Sequence, residues 1–253
     1  MKIGIDIRVL GSGQKSGIEE YTEHLLAAML PLDPSIDYKL FYPGLGRPLP
    51  DYDWLHLPNV QIFKRQIPNR LLFYTSRFFD IPKLDQLVGG ADVFFFPHFL
   101  PAALSKKCKR VTTFHDVSFE RFPEFFSRSQ RWWHYVVTPR WQARFSDKVI
   151  SVSDSTKRDL VQFYAVDPAR IVTIYSGVSP TMVRSSAQEL DIFRHKRSLP
   201  EQFILFLGTQ EPRKNIPALI RAFSLLKEAW HDERTHLVIT GNPGWLHREV
   251  REL

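Results

Sequence analysis

The sequence predicts an α/β fold, with one complete doubly wound domain followed by the beginning of a second. Three observations predict it. Short apolar runs alternate with amphipathic helical stretches along most of the chain, the pattern of a parallel sheet with helices on both faces. The first 30 residues read as strand, glycine-rich loop and helix, the opening of a βαβ unit. After a break at Ser176-Gly-Val-Ser-Pro180 the α/β pattern restarts at Phe203, but only two strand-like runs follow it.

The elements follow in order. Residues 2–9 alternate, with Ile3, Ile5, Ile7 and Val9 on one face, and predict the first strand. Gly11, Gly13 and Gly17 punctuate the loop after it. Residues 18–30 predict a helix with Ile18, Tyr21, Leu25 and Met29 in one stripe. Further strands are expected at 38–42, 60–63, 92–96, 110–114, 148–152 and 171–174, and helices at roughly 70–88, 128–145 and 155–164. Residues 43–58, rich in Pro and Gly, read as a loop, and 188–197 as a polar helix. The expected domains are 1–180 and 181–253. The helical pattern 245–253 carries no stop signal, so the second domain is expected to be incomplete.

Composition excludes several classes. With 43% hydrophobic and 13% aromatic residues, the chain has ample material for a core and is not disordered. The single cysteine, Cys108, excludes an intramolecular disulfide and a cysteine-based zinc site, and it fits a reducing compartment. No 18-residue apolar run predicts a membrane span. The apolar start carries Asp6 and Arg8, which suits a strand rather than a signal peptide. A net charge of +7 favours anionic partners such as nucleotides, anionic lipid or nucleic acid. No nucleic-acid-binding motif accompanies that charge, so nucleic acid is not an expected partner.

Four features carry candidate chemistry. Residues 203–223 read as a buried strand, a short loop and a helix start. Gly208 lets the chain leave the strand sharply, and Asn215 is placed to cap the helix. Arg213 and Lys214 stand at the loop exit. Two adjacent cations outside the carboxyl end of a strand suit a phosphate or diphosphate; the alternative is a solvated pair beside a helix end. The glycine loop is the second feature. Its spacing, G-x-G-x-x-x-G, is one residue too long for a dinucleotide fingerprint, and no ribose-binding acid is well placed. It still lets an anion approach the N-terminus of the following helix, or it is a plain βα connection. His115 and Asp116, the third feature, end the strand 110–114, where an open sheet faces its ligand crevice. His115 there suits a sugar or hydroxyl, or is a satisfied structural histidine; the other histidines, such as His24 and His56, lack this placement.

The fourth feature, 121–145, interleaves five arginines with Phe122, Phe125, Phe126, Trp132, Trp133, Tyr135, Trp141 and Phe145. Such a helix lies on an anionic membrane or, as the preferred reading, buries its aromatics in the core while its arginines reach solvent. Neither a Gly-x-Ser-x-Gly elbow nor an H-E-x-x-H metal motif is present.

Assembled in order, these pieces resemble the retaining GT-B glycosyltransferases of family 4, which include bacterial mannosyl- and glucosyltransferases. The residues that carry the resemblance are Lys2-Ile-Gly-Ile-Asp-Ile-Arg8 with the helix start at Gly17, and His115-Asp-Val-Ser-Phe119 with Phe122-Pro-Glu-Phe-Phe-Ser127. Val149-Ile-Ser-Val-Ser-Asp-Ser-Thr-Lys-Arg-Asp-Leu160, Phe206-Leu-Gly-Thr-Gln-Glu-Pro-Arg-Lys-Asn215 and Gly241-Asn-Pro-Gly-Trp245 complete the set. The resemblance implies a GT-B-like fold of two Rossmann-like domains, with acceptor bound by the first and nucleotide-sugar donor by the second. It implies sugar transfer to a glycan or lipid-linked acceptor with retention of configuration. It leans towards mannose-type donors in polysaccharide or cell-envelope assembly.

By the same resemblance His115, Arg213 and Lys214 are the expected catalytic residues, and Gly17, Gly208, Arg213 and Lys214 the expected donor-binding residues. No metal is expected, because the two cations neutralise the leaving diphosphate. The expected location is cytoplasmic, peripheral at the inner face of the membrane. Ser176-Gly-Val178 replaces the family's Asn-Gly-Val, and the family's Glu-x7-Glu donor-sugar motif lies beyond Leu253. The chain is therefore expected to turn over poorly by itself. Two other readings stay open: a nucleotide- or lipid-binding half-protein that needs a partner, and a nucleotide-sugar epimerase on the same fold.

Overall fold

The computed structural model describes residues 1–11, 16–45, 48–179, 182–231, 233–242 and 244. Gly13, Pro180 and the helical pattern 245–253 lie outside them. The chain divides into two units, Met1–Arg121 with Arg128–Ser179, and Phe122–Ser127 with Pro180–Leu253.

The first unit is a parallel sheet with flanking helices. In chain order it comprises β1 (Lys2–Asp6), α1 (Gly17–Met29), β2 (Asp37–Gly44), β3 (Val60–Ile67), α2 (Asn69–Phe78), α3 (Leu84–Leu87), β4 (Val93–Phe96), β5 (Lys109–Phe114) and α4 (Ser118–Arg121). It continues with α5 (Arg128–Val137), α6 (Pro139–Phe145), β6 (Lys148–Ser151), α7 (Asp154–Tyr164) and β7 (Ile171–Thr173). The seven strands run in the order β3-β2-β1-β4-β5-β6-β7, every pair parallel. The order reverses between β1 and β4, which opens a crevice at the carboxyl ends of those strands.

Period-two alternation sends neighbouring residues to opposite faces, and both faces are covered. Leu40 and Phe95 join Ile5, Leu26 and Trp54 on one face, whereas Phe41, Phe94 and Phe96 join Leu72, Leu84 and Val88 on the other. In α1 the buried stripe is Glu19, Thr22 and Leu26, so the expected Ile18, Tyr21, Leu25 and Met29 flank it half-buried.

Three expectations are corrected here. The first strand ends at Asp6 and not at Val9. The Asp6 carboxylate accepts hydrogen bonds from the Arg8 backbone N–H at 3.1 Å and from its guanidinium, turning the chain into a 3-10 helix at Arg8–Gly11. The helix expected over 128–145 is two helices, α5 and α6. Thr138 between them is left-handed (φ 52°), because Pro139 disfavours the helical conformation for the residue before it and starts α6 at its first turn.

Most aromatics expected in the core there are exposed, with Trp132 at 66% and Tyr135 at 73%, while Phe125 and Phe126 are half-buried. The buried side of α5 and α6 is made of small and polar residues instead. Val137, Gln142 and Ala143 pack inward, and the Gln142 amide donates to the Val137 carbonyl at 2.8 Å.

The second unit contains α8 (Ala187–Lys196), β8 (Gln202–Leu207), α9 (Ile216–Trp230) and β9 (Thr235–Thr240). A capping box between Ser186 and Glu189 starts α8. β8 and β9 pair in parallel from Gln202↔Thr235 to Leu207↔Thr240, so both carboxyl ends lie together.

Candidate functional site

In the first unit, residues gather at the carboxyl ends of β1, β4 and β5. Asp6 and Arg8 leave β1 as an ion pair whose side chains are 3% and 6% exposed. Arg8 also donates to the Pro101 carbonyl at 3.3 Å, tying the end of β1 to the loop after β4. His115 follows β5 directly, and its Nε2 donates to the Pro97 carbonyl at 2.9 Å. Tyr21 of α1 packs edge-on against the His115 ring, with centroids 4.7 Å apart. Gly17 stands one helical turn before Tyr21 on the same face of α1. A Cβ on Gly17 would meet nothing within 4 Å, so packing alone does not require glycine there.

Asp116 is occupied locally. Its carboxylate accepts from the Ser118 N–H at 3.0 Å and the Ser118 hydroxyl at 2.7 Å, which starts α4. Two further ties hold α4 to α7: the Tyr164 hydroxyl donates to Glu120, and Arg121 pairs with Asp159.

Contrary to expectation, His115 is not alone among the histidines in this placement. His98 lies two residues after β4, at the same end of the sheet as His115, with ring centroids 6.0 Å apart. Sequence reading missed it because nothing in Pro97-His-Phe-Leu-Pro101 marks it. Only the pairing of β4 beside β5 brings the two rings together. His134 is held by stacking on Phe119 at 3.9 Å.

Burial lowers the pKa of all three histidines, and that of His98 to about 3. The sign of the consequence is fixed. Between about 3 and the usual 6.5 the unfolded chain binds a proton at His98 that the native state refuses. The stabilising contribution is therefore complete above 6.5 and falls as pH drops through that window. For His98 alone the slope approaches about 1.4 kcal/mol per pH unit. Urea unfolding at pH 7 and pH 5 is expected to show this loss, and His98→Phe to reduce it. Equal losses in wild type and variant would mean that native His98 takes up the proton freely.

The second unit builds a different site. The loop from Gly208 to Asn215 joins the carboxyl end of β8 to α9. Gly208 has φ 157° as the chain turns out of the strand. Gly241, at the end of β9, is pressed against it, and a Cβ there would stand 2.0 Å from the Gly208 carbonyl oxygen. The Gly208 N–H donates to the Thr240 carbonyl at 2.9 Å and the Gln210 N–H to the Asn242 carbonyl at 3.0 Å, so the two loops are zipped together.

Pro212–Lys214 forms a 3-10 turn. Arg213 Nε lies 2.5 Å from the carboxylate of Glu211, whose side chain is 5% exposed. Lys214 is exposed, and its ammonium has no side-chain partner among the described residues. Of the two expected cations, Arg213 is therefore partly neutralised and Lys214 keeps its full charge. Asn215 holds the cap position of α9, but in a left-handed conformation (φ 49°) that gives its side chain no cap hydrogen bond, contrary to expectation. The start of α9 therefore has no side-chain cap; Pro217 lacks an N–H, and the Ala218 and Leu219 N–H groups donate to the Asn215 carbonyl at 3.1 and 3.3 Å. Among the described residues no group of three or more His, Cys, Asp or Glu stands together as a metal site. No described helix is long and apolar enough to cross a membrane.

The sequence profile of Glycosyltransferase Family 4 matches residues 15–181. The chain belongs to this family. It is 31% identical over 154 residues to O-antigen chain mannosyltransferase B of Escherichia coli, covering 60% of this chain and 38% of that protein. It is 36% identical over 83 residues to the serotype-specific mannosyltransferase WbdA of Escherichia coli, covering 32% of this chain and 10% of that one. The family 4 chain thus spans well under two thirds of these relatives. Its fold is similar to that of the glycosyltransferase WaaG, involved in lipopolysaccharide biosynthesis (TM-score 0.58, 15% identity, 94% of this chain and 62% of that one). It is similar also to Anabaena HepE in complex with UDP and glucose (TM-score 0.57, 16% identity, 99% and 64%). These likenesses identify the architecture as GT-B.

Proposed function

We propose that this family 4 chain takes part in moving a hexose, of mannose type, from a nucleotide-sugar to a glycan or lipid-linked acceptor in cell-envelope polysaccharide assembly. The observation that carries this reading is the Gly208–Asn215 loop, with the uncompensated Lys214 at the carboxyl end of β8. A departing nucleoside diphosphate gains negative charge as the glycosidic bond breaks. Lys214, with Arg213, would meet that charge without a metal. Gly17, Gly208, Arg213 and Lys214 would contact the donor, and His115 the transferring sugar.

The family's retaining outcome supports attack and departure on one face of that sugar, and the mannosyltransferase relatives support mannose. The test is nucleotide release from GDP-mannose and UDP-glucose with and without a mannoside acceptor. Release that depends on acceptor supports transfer, whereas isomerisation of the donor without acceptor would identify an epimerase.

A specific observation favours a lipid surface as an additional partner. Trp132, Trp133, Tyr135, Trp141 and Phe145 are exposed on α5 and α6 together with Arg128, Arg131, Arg140 and Arg144. The neighbouring α2, joined by the Arg77 hydrogen bond to the Val136 carbonyl at 3.0 Å, adds exposed Tyr74 and Phe78. Aromatic rings among cations suit the headgroup region of an anionic bilayer. This surface supports a peripheral location at the inner face of the membrane. Sedimentation with phosphatidylglycerol vesicles at low salt is expected to capture it. Replacing Trp132 and Trp133 by serine should weaken capture roughly tenfold. Equal capture of variant and wild type would remove this surface from the account.

A further inference from the structure

We propose that His98 is a second sugar-positioning residue, its Nε2–H and the Nδ1 lone pair of His115 forming a donor–acceptor pair for two hydroxyls of one hexose. The inference rests on the glycosyltransferase reading only for the identity of the ligand as a sugar.

The Pro97 carbonyl can only accept, so His115 Nε2 carries hydrogen. A neutral imidazole has one N–H, which leaves a lone pair on His115 Nδ1. That nitrogen has no hydrogen-bond partner among the described residues. In His98 the two nitrogens differ in environment. Nδ1 is enclosed without a partner, beside Phe99 at 4.3 Å between ring centroids. An enclosed N–H with nothing to accept it is costly, so the proton belongs on Nε2 at the open edge of this half-buried ring. His98 therefore offers a donor, and His115 beside it an acceptor.

The two rings are also held as a unit. Their strands are adjacent, with Phe96 paired to Thr112. Pro97, whose carbonyl fixes His115, immediately precedes His98 in the chain. Tyr21 packs edge-on against the His115 ring and holds it further. With ring centroids 6.0 Å apart, both rings lie within reach of one hexose, whose hydroxyls would meet them in hydrogen bonds of about 2.8–3.0 Å. A hydroxyl both donates and accepts, so a donor–acceptor pair discriminates a sugar from a carboxylate, which only accepts.

Two-bond proton–nitrogen NMR correlation on the full chain with labelled imidazoles reads these tautomers directly. Both His98 and His115 are expected in the neutral Nε2–H form at pH 7. Methyl α-D-mannopyranoside, titrated to about 100 mM, is expected to shift both signals. His98→Phe should weaken that binding about five- to tenfold. His98→Gln, whose amide N–H reaches a point similar to Nε2, should restore it to within about twofold. An Nδ1–H tautomer at His98, no response of its signal to the sugar, or unchanged affinity in His98→Phe overturns the assignment; the tautomer is readable in the wild type whatever the variants do. GDP and UDP binding on the same samples separates the two claims. Nucleotide bound with His98 silent to sugar ends this assignment and leaves the transfer reading standing. A sugar response without nucleotide binding supports the pair and counts against transfer.

Discussion

Asp6→Ala is expected to lower the stability of the first unit by about 3–5 kcal/mol. The Asp6 carboxylate is matched to Arg8 by bonds of 2.8 and 2.9 Å from Nε and 2.5 Å from Nη2, and both side chains are almost fully enclosed. Without the carboxylate the guanidinium keeps, among the described residues, only the Pro101 carbonyl, at 3.3 Å. Most of the expected cost is that uncompensated buried charge, not the worth of the pair itself. A double replacement, Asp6→Leu with Arg8→Met, should therefore recover much of the loss. Urea unfolding followed by circular dichroism measures both. A loss below about 1 kcal/mol in Asp6→Ala would contradict the burial of the pair.

The second large effect concerns catalysis. Lys214→Ala is expected to reduce kcat/KM for the nucleotide-sugar by about 2–4 kcal/mol in transition-state stabilisation, as for the loss of one preorganised donor to a developing anion. Arg213→Ala should cost less, because Glu211 already shares the Arg213 charge. A change below about a factor of three for Lys214→Ala would remove it from the site. An effect larger for Arg213 than for Lys214 would mean that the pair with Glu211 opens when donor binds.

Much of the fold was legible because the parallel strands of the first unit, covered on both faces, are continuous apolar runs, and all of the expected strands formed within a few residues of their places; β8, expected to be buried, formed in place but leaves Ile204, Leu205 and Leu207 exposed. Helix interruptions were harder. Pro82 and Pro139 were visible in the sequence, but the amphipathic pattern ran through both, and the chain broke there into α2 with α3 and α5 with α6. The aromatic segment was misjudged for a related reason. Hydrophobicity identifies what prefers burial, but Val137, Gln142 and Ala143 took the inward side of α5 and α6 and left the larger rings outside.

Site residues were legible where a local pattern marked them, as with His115 after its strand and Arg213-Lys214 after theirs. His98 and the Glu211–Arg213 pair were not. The first depends on strand order, which no local pattern encodes, and the second on the 3-10 turn that folds Glu211 back onto Arg213.

The central claim is a donor diphosphate site at Lys214. Calorimetric titration of the chain with GDP, UDP and ADP, without added metal, in wild type and Lys214→Ala, tests it most directly. The account predicts saturable binding of one nucleotide that is lost in the variant. Binding to none of them, or binding that Lys214→Ala leaves intact, would contradict it.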